Sequence, residues 1–174
     1  MKLMRTSTLA LGFFFLVQVA QADWTSVKRI TWTSGESSWP AIAVDSSDNL
    51  HVVWYDDTPG EEDIYYKRST DGGDTWTASQ RLTWNKPDSV SPAIAVDSLD
   101  YLHVVWSEGP SGECEIHYKR SKDGGATWMA TQRLSWNMGN SQSPSIAVDS
   151  SDNLHVVWFD GTPGNCEIYY RNGN

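Results

Sequence analysis

The chain has 174 residues, 39% of them hydrophobic and 20% charged, which excludes disordered and collagen-like chains. Its 13 Lys and Arg stand against 22 Asp and Glu, for a net charge of −9. Without a Lys/Arg cluster, the chain has no basic stripe of the kind nucleic acid or an anionic lipid surface requires, so neither is expected as a partner.

The first 22 residues read as an export signal. Lys2 and Arg5 form a basic start, an apolar run follows from Leu9 to Ala20, and Ala20-Gln21-Ala22 places small residues at the cleavage positions. The run is short for a bilayer span and no second one follows, so no membrane span is expected after cleavage. The mature chain is expected to begin near Asp23, in an extracellular or periplasmic setting, with a charge near −11 once Lys2 and Arg5 are gone.

From Asp23 onward the sequence repeats every 52 residues, without insertion or deletion. Ala41-Ile42-Ala43-Val44-Asp45-Ser46 returns at 93–98 and, with Ser145 for Ala41, at 145–150. Leu50-His51-Val52-Val53-Trp54 returns at 102–106 and 154–158. Arg29, Arg81 and Arg133 share one position, as do Trp32, Trp84 and Trp136, so the 10 Trp are largely framework positions counted three times. Each copy reads as four short strands. In the second copy these are 92–96 and 102–106, apolar on both faces, then 115–120, more polar, and a fourth around 127–136. The expected fold is all-β, with burial decreasing from the first strand to the fourth as in a propeller blade; a sandwich is the alternative, but gives no reason for exact-length repetition.

Between the third and fourth strands lies Ser-x-Asp-x-Gly-x-Thr-Trp, complete at Ser69, Asp71, Gly73, Thr75 and Trp76 and again at Ser121, Asp123, Gly125, Thr127 and Trp128. This motif resembles the Asp-box of the BNR repeats in sialidase-like β-propellers, and with its flanking strands the resemblance covers residues 23–174 as three blades. It implies a structural turn: Gly allows positive φ, the Asp carboxylate accepts turn N–H groups, and the Trp buries its ring against the blade. The oxygen-ligand spacing of a calcium loop is missing, and no metal or cofactor is implied.

The resemblance also implies a test for catalysis. Retaining sialidases carry an Arg triad, a Tyr–Glu nucleophile pair and an Asp acid/base, yet the nearest text, Lys28-Arg29-Ile30-Thr31, lacks the flanking aromatic and Pro and recurs at Arg81 and Arg133. A single active site must break the symmetry of a ring, so no catalytic residue is assigned. Non-catalytic binding of a glycan or other extracellular ligand is the expected function; an exo-sialidase or related glycoside hydrolase, as a fragment or an assembly, and a structural repeat module remain alternatives.

His51, His103 and His155 are equivalent positions on neighbouring blades, too far apart to share an ion, and are expected to be buried or edge-bonded. Cys114 and Cys166 are equally separated and read as free thiols or bonds to another chain. Ligand contacts are expected from the variable loops: Asp56 and Asp57 in the first copy, Glu108 in the second and Asp160 in the third. Trp39 stands where the other copies have Ser91 and Ser143, either as a sugar-stacking ring or as a plug for the central channel. Trp32, Trp84 and Trp136 read as sugar platforms or, preferably, as interblade packing. Three blades are few for a ring. The stretch 24–32 reads as a fourth strand completing the last blade, so the chain is expected to be a partial propeller or, as a homodimer, half of a six-bladed ring.

Overall fold

The computed structural model describes residues 23–174 apart from Pro59, Asn85 and Pro163; the export signal expected over 1–22 lies outside the described residues. The chain forms three antiparallel sheets, and the described residues contain no helix. Blade 1 holds β1 (Ser37–Val44), β2 (Leu50–Asp56), β3 (Asp63–Ser69) and β4 (Gln80–Arg81). Blade 2 holds β5 (Ser89–Val96), β6 (Leu102–Glu108), β7 (Glu115–Ser121) and β8 (Gln132–Arg133). Blade 3 holds β9 (Ser141–Val148), β10 (Leu154–Asp160) and β11 (Glu167–Gly173). Strand order in each sheet follows the chain.

Local chemistry sets the register. The first hairpin turns through Asp48, Asp100 or Asp152 at φ of 60 to 62°, a left-handed conformation that Asp tolerates better than most residues. Asp45 fixes this turn by accepting from the N–H groups of Ser47 and Asn49, both at 2.9 Å. The second hairpin then pairs Leu50 with Ser69 and Asp56 with Asp63, a register repeated from Leu102–Ser121 to Glu108–Glu115 in blade 2. The Ser-x-Asp-x-Gly-x-Thr-Trp turn closes as the sequence implies. Asp71 accepts from Thr75 through N–H at 2.8 Å and Oγ1 at 2.5 Å, and the Ser69 hydroxyl accepts from Gly73 N–H at 2.9 Å. These donors hold the Asp71 carboxyl down at about 2.

The core lies between the blades. Val53, Ile64 and Tyr66 of blade 1 pack against Ile94, Val104 and Trp106 of blade 2. Val105 and Ile116 of blade 2 pack against Val156 and Trp158 of blade 3. Polar bonds cross the same junctions: Ser46 donates to Asp100 and Ser98 to Asp152, each through N–H at 2.8 Å and Oγ at 2.6 Å.

Two expectations need correction. The first strand is not the most buried. Within blade 2, β6 is buried along nearly its whole length whereas β5 alternates between buried and half-buried, and β1, in a blade with a neighbour on one side only, is more exposed still. The fourth strands are also shorter than expected, only Gln80–Arg81 and Gln132–Arg133, and no strand forms over 24–32. Side chains take over from the ladder: Thr83 Oγ1 accepts from Ile64 N–H at 2.9 Å and donates to Asp63 at 2.8 Å, while Arg81 also binds Asp63.

Candidate binding site on the loop face

The loops after the second strands gather at one end of the blades, and the structure divides the expected ligand residues sharply. Asp56 and Asp160 are fully buried. Asp56 accepts from Ser37 at 2.6 Å, Thr33 at 2.9 Å and Thr58 N–H at 3.0 Å. Asp160 accepts from Ser141 at 2.5 Å, Thr162 N–H at 2.8 Å and Asn137 at 3.1 Å. Burial opposes their ionisation, but these donors outweigh it and lower both carboxyls. Both acids clamp loops, which corrects their expected ligand role. Asp57 is exposed but tied to Glu36 N–H at 2.6 Å.

Glu108 differs. It is half-buried and lines a cavity of about 530 Å³ with Glu113, Glu115, His117, Arg133 and Asn137. Its extra methylene lets it accept from Trp106 Nε1 at 2.8 Å, whereas the equivalent Trp54 and Trp158 Nε1 atoms have no partner among the described residues. The cavity has a readable origin. In blades 1 and 3 a Tyr hydroxyl crosses to a loop carbonyl, Tyr65 to Thr58 at 2.5 Å and Tyr169 to Thr162 at 2.9 Å. Blade 2 has His117 at that position, a shorter ring that stacks on Trp106 at 6.0 Å, with Nδ1 3.2 Å from the Glu115 carbonyl. The space the phenol would cross is left to the cavity.

Arg133 forms one wall, held by Glu115 at 2.5 Å and donating through Nε to Ser135 O at 2.7 Å. Its guanidinium lies 5.9 Å from the Trp136 ring centre, and Arg171 covers the same ring at 5.3 Å. Trp136, Trp84 and Trp32 remain 61, 63 and 70% exposed, and their interblade contact is made by a cation: Lys119 of blade 2 covers Trp84 of blade 1 and Arg171 of blade 3 covers Trp136 of blade 2. Trp39 is also exposed, at 61%, on β1 outside this cavity. Its φ of 52° is shared by Ser91 and Ser143, so the strained position belongs to the repeat and the Trp is an addition to it. Sequence reading missed Glu115 and His117; the break in the Tyr65/Tyr169 period was the available signal.

Other reactive groups stay apart. His51 lies between Tyr66 OH at 2.8 Å and Asp45 at 3.1 Å, and His103 and His155 repeat this within their own blades. Cys114 is buried, Cys166 is exposed, and both are free thiols.

Together, the sheets and their packing define a sialidase-type β-propeller fold, resolved here as three blades. Solved structures share it. The α-L-arabinofuranosidase Arb93A of Fusarium graminearum, bound to an iminosugar inhibitor, superposes with a TM-score of 0.65 at 16% identity over 78% of this chain and 45% of that one. The Hadza microbial sialidase Hz136 gives 0.62 at 14% identity over 78% and 35%. Zg3597, a family 117 glycoside hydrolase of the marine bacterium Zobellia galactanivorans, gives 0.60 at 11% over 86% and 56%. The chain therefore spans roughly a third to just over half of the length of these proteins. No family model and no curated protein matches the sequence.

Proposed function

We propose that this chain is a secreted, non-catalytic propeller of the BNR type that binds glycans through the loop face of blade 2. The observation that carries this reading is the cavity around Glu108, His117 and Arg133. It combines carboxylate acceptors, a guanidinium donor and an adjacent exposed indole, Trp136, in a space of sugar size. Glycoside hydrolases among the structural neighbours support a sugar-related role. The export signal over 1–22 supports secretion, and no described helix is long and apolar enough to cross a membrane. Non-catalytic binding is favoured because Arg29, Arg81 and Arg133 repeat from copy to copy and each donates through Nε to the carbonyl two residues on.

The repeat supplies a conservative test. His117→Tyr installs the residue of the sister blades and should close the cavity without disturbing the sheet. A glycan array followed by titration should find a bound glycan, with affinity about tenfold or more weaker in His117→Tyr and an unchanged melting temperature. Equal affinity in both proteins would move the site elsewhere. Release of sugar from a fluorogenic sialoside or arabinofuranoside would replace the binding reading with a hydrolytic one.

A further inference from the structure

The blade junctions reuse one set of contacts, and the open faces of blades 1 and 3 carry its unmatched halves. Ser46 reaches Asp100 and Ser98 reaches Asp152, but among the described residues the equivalent Ser150 has no such acceptor and Asp48 no such donor. Arg81 pairs with Asp63 and Arg133 with Glu115, whereas the equivalent Arg29 and Glu167, both exposed, form no ion pair among the described residues. Apolar residues show the same split. Ile64 and Ile116 are fully buried while the equivalent Ile168 is 76% exposed; Ile94 is 8% exposed and Ile42 60%.

A groove supplies the most specific mark. At the first junction, Trp128 of blade 2 packs edge-on against Tyr66 of blade 1, with ring centres 5.3 Å apart. Beside Tyr118, the equivalent of Tyr66, lies instead a cavity of about 550 Å³ bordered by Tyr101, His103, Leu134 and Val156. Trp24, in the same position of the 52-residue period as Trp76 and Trp128, is 94% exposed. Residues 23–32 already lie against blade 1 as the outer strand of a preceding blade would. Lys67 donates to Ile30 O at 2.7 Å, just as Lys119 of blade 2 donates to Leu82 O.

We propose that a second copy of this chain docks its blade 1 on blade 3 of the first, with residues 24–32 of the second copy lying along the uncovered edge of β11. Trp24 then fills the groove beside Tyr118, Arg29 meets Glu167, and Ser150 meets Asp48. Two such contacts related by a twofold axis close a ring of six blades. A contact between unlike faces either closes or propagates, so the size of the assembly reports on closure.

Light scattering on the full chain over a range of concentrations should give twice the single-chain mass. Trp24→Ala and Arg29→Glu, both at exposed side chains, should each lower it to one chain with an unchanged circular dichroism spectrum. Arg29→Glu combined with Glu167→Arg should restore the double mass. A wild-type chain that stays single would assign these faces to another partner and overturn the proposal. So would masses that grow without limit, or a charge swap that fails where Arg29→Glu alone dissociates the assembly. Glycan affinity is read separately, so failure here leaves the blade 2 site standing.

Discussion

At the scale of single residues, the Asp45–His51–Tyr66 chain decides how the protein meets acid. Burial lowers the pKa of His51 from its ordinary 6.5, against the opposing pull of Asp45, so the ring stays neutral at neutral pH. A neutral ring donating from Nε2 to Asp45 leaves Nδ1 as an acceptor 2.8 Å from the Tyr66 hydroxyl, whose single hydrogen is shared between Nδ1 and the Gly124 carbonyl of blade 2 at 3.0 Å. His103 is lowered for the same reason. Between the folded and unfolded values, the unfolded chain binds more protons, so stability falls as pH drops below about 6.5. A second loss follows below the ordinary 3.8 of Asp45. Burial raises that carboxyl, but bonds from Asn49, His51 and Ser47 overcome the effect and hold it at about 2. Melting temperatures at pH 8, 5.5 and 3 should therefore fall in two steps, with His51→Gln and His103→Gln together flattening the first. Trp39 belongs to this scale too. Because Ser91 and Ser143 share its backbone conformation, Trp39→Ser should leave the melting temperature nearly unchanged, and any fall in glycan affinity isolates its stacking role.

Among the elements, the Asp-centred turn shows how a short motif replaces a long strand. Asp71 and Ser69 satisfy the turn, Thr77 N–H returns to Arg68 O at 2.9 Å, and the outer strand then needs only two ladder residues. Asp71→Ala removes the acceptor for both Thr75 donors and should lower the melting temperature clearly. Asp74→Ala, three residues on, breaks only an exposed pair with Lys28 and should barely change it. This turn was legible in the sequence because its residue types are dictated by φ and by hydrogen-bond count. Strand burial was not: the small β-branched run 92–96 reads as covered on both faces, although β5 is only partly buried. The loop acids were misjudged for a related reason. Asp56 and Glu108 occupy the same repeat position, and only the length of the side chain separates a loop clamp from a cavity wall.

Across the whole molecule, stability resides between sheets. Ile116 is fully enclosed between blades 2 and 3, so Ile116→Ala should cost about 2–5 kcal/mol in urea unfolding. Ile168, its exposed counterpart, supplies the contrast. Ile168→Ala should matter only where chains associate, and its penalty should vanish on dilution to concentrations where they separate. The 52-residue period made this architecture readable from the sequence, since equal spacing in every segment demands equal units. The blade 2 cavity was harder to read, because it arises from what His117 fails to fill. The repeated junction also has a kinetic side. Val53, Val105 and Val157 lie on near-identical strands, so a refolding chain carries little to tell one blade's docking face from another's. Wrong neighbours, within a chain or between chains, present almost the right surface and are released slowly. Sorting then falls to the few residues that differ between copies, and crowding during synthesis becomes a hazard that the native contacts themselves create.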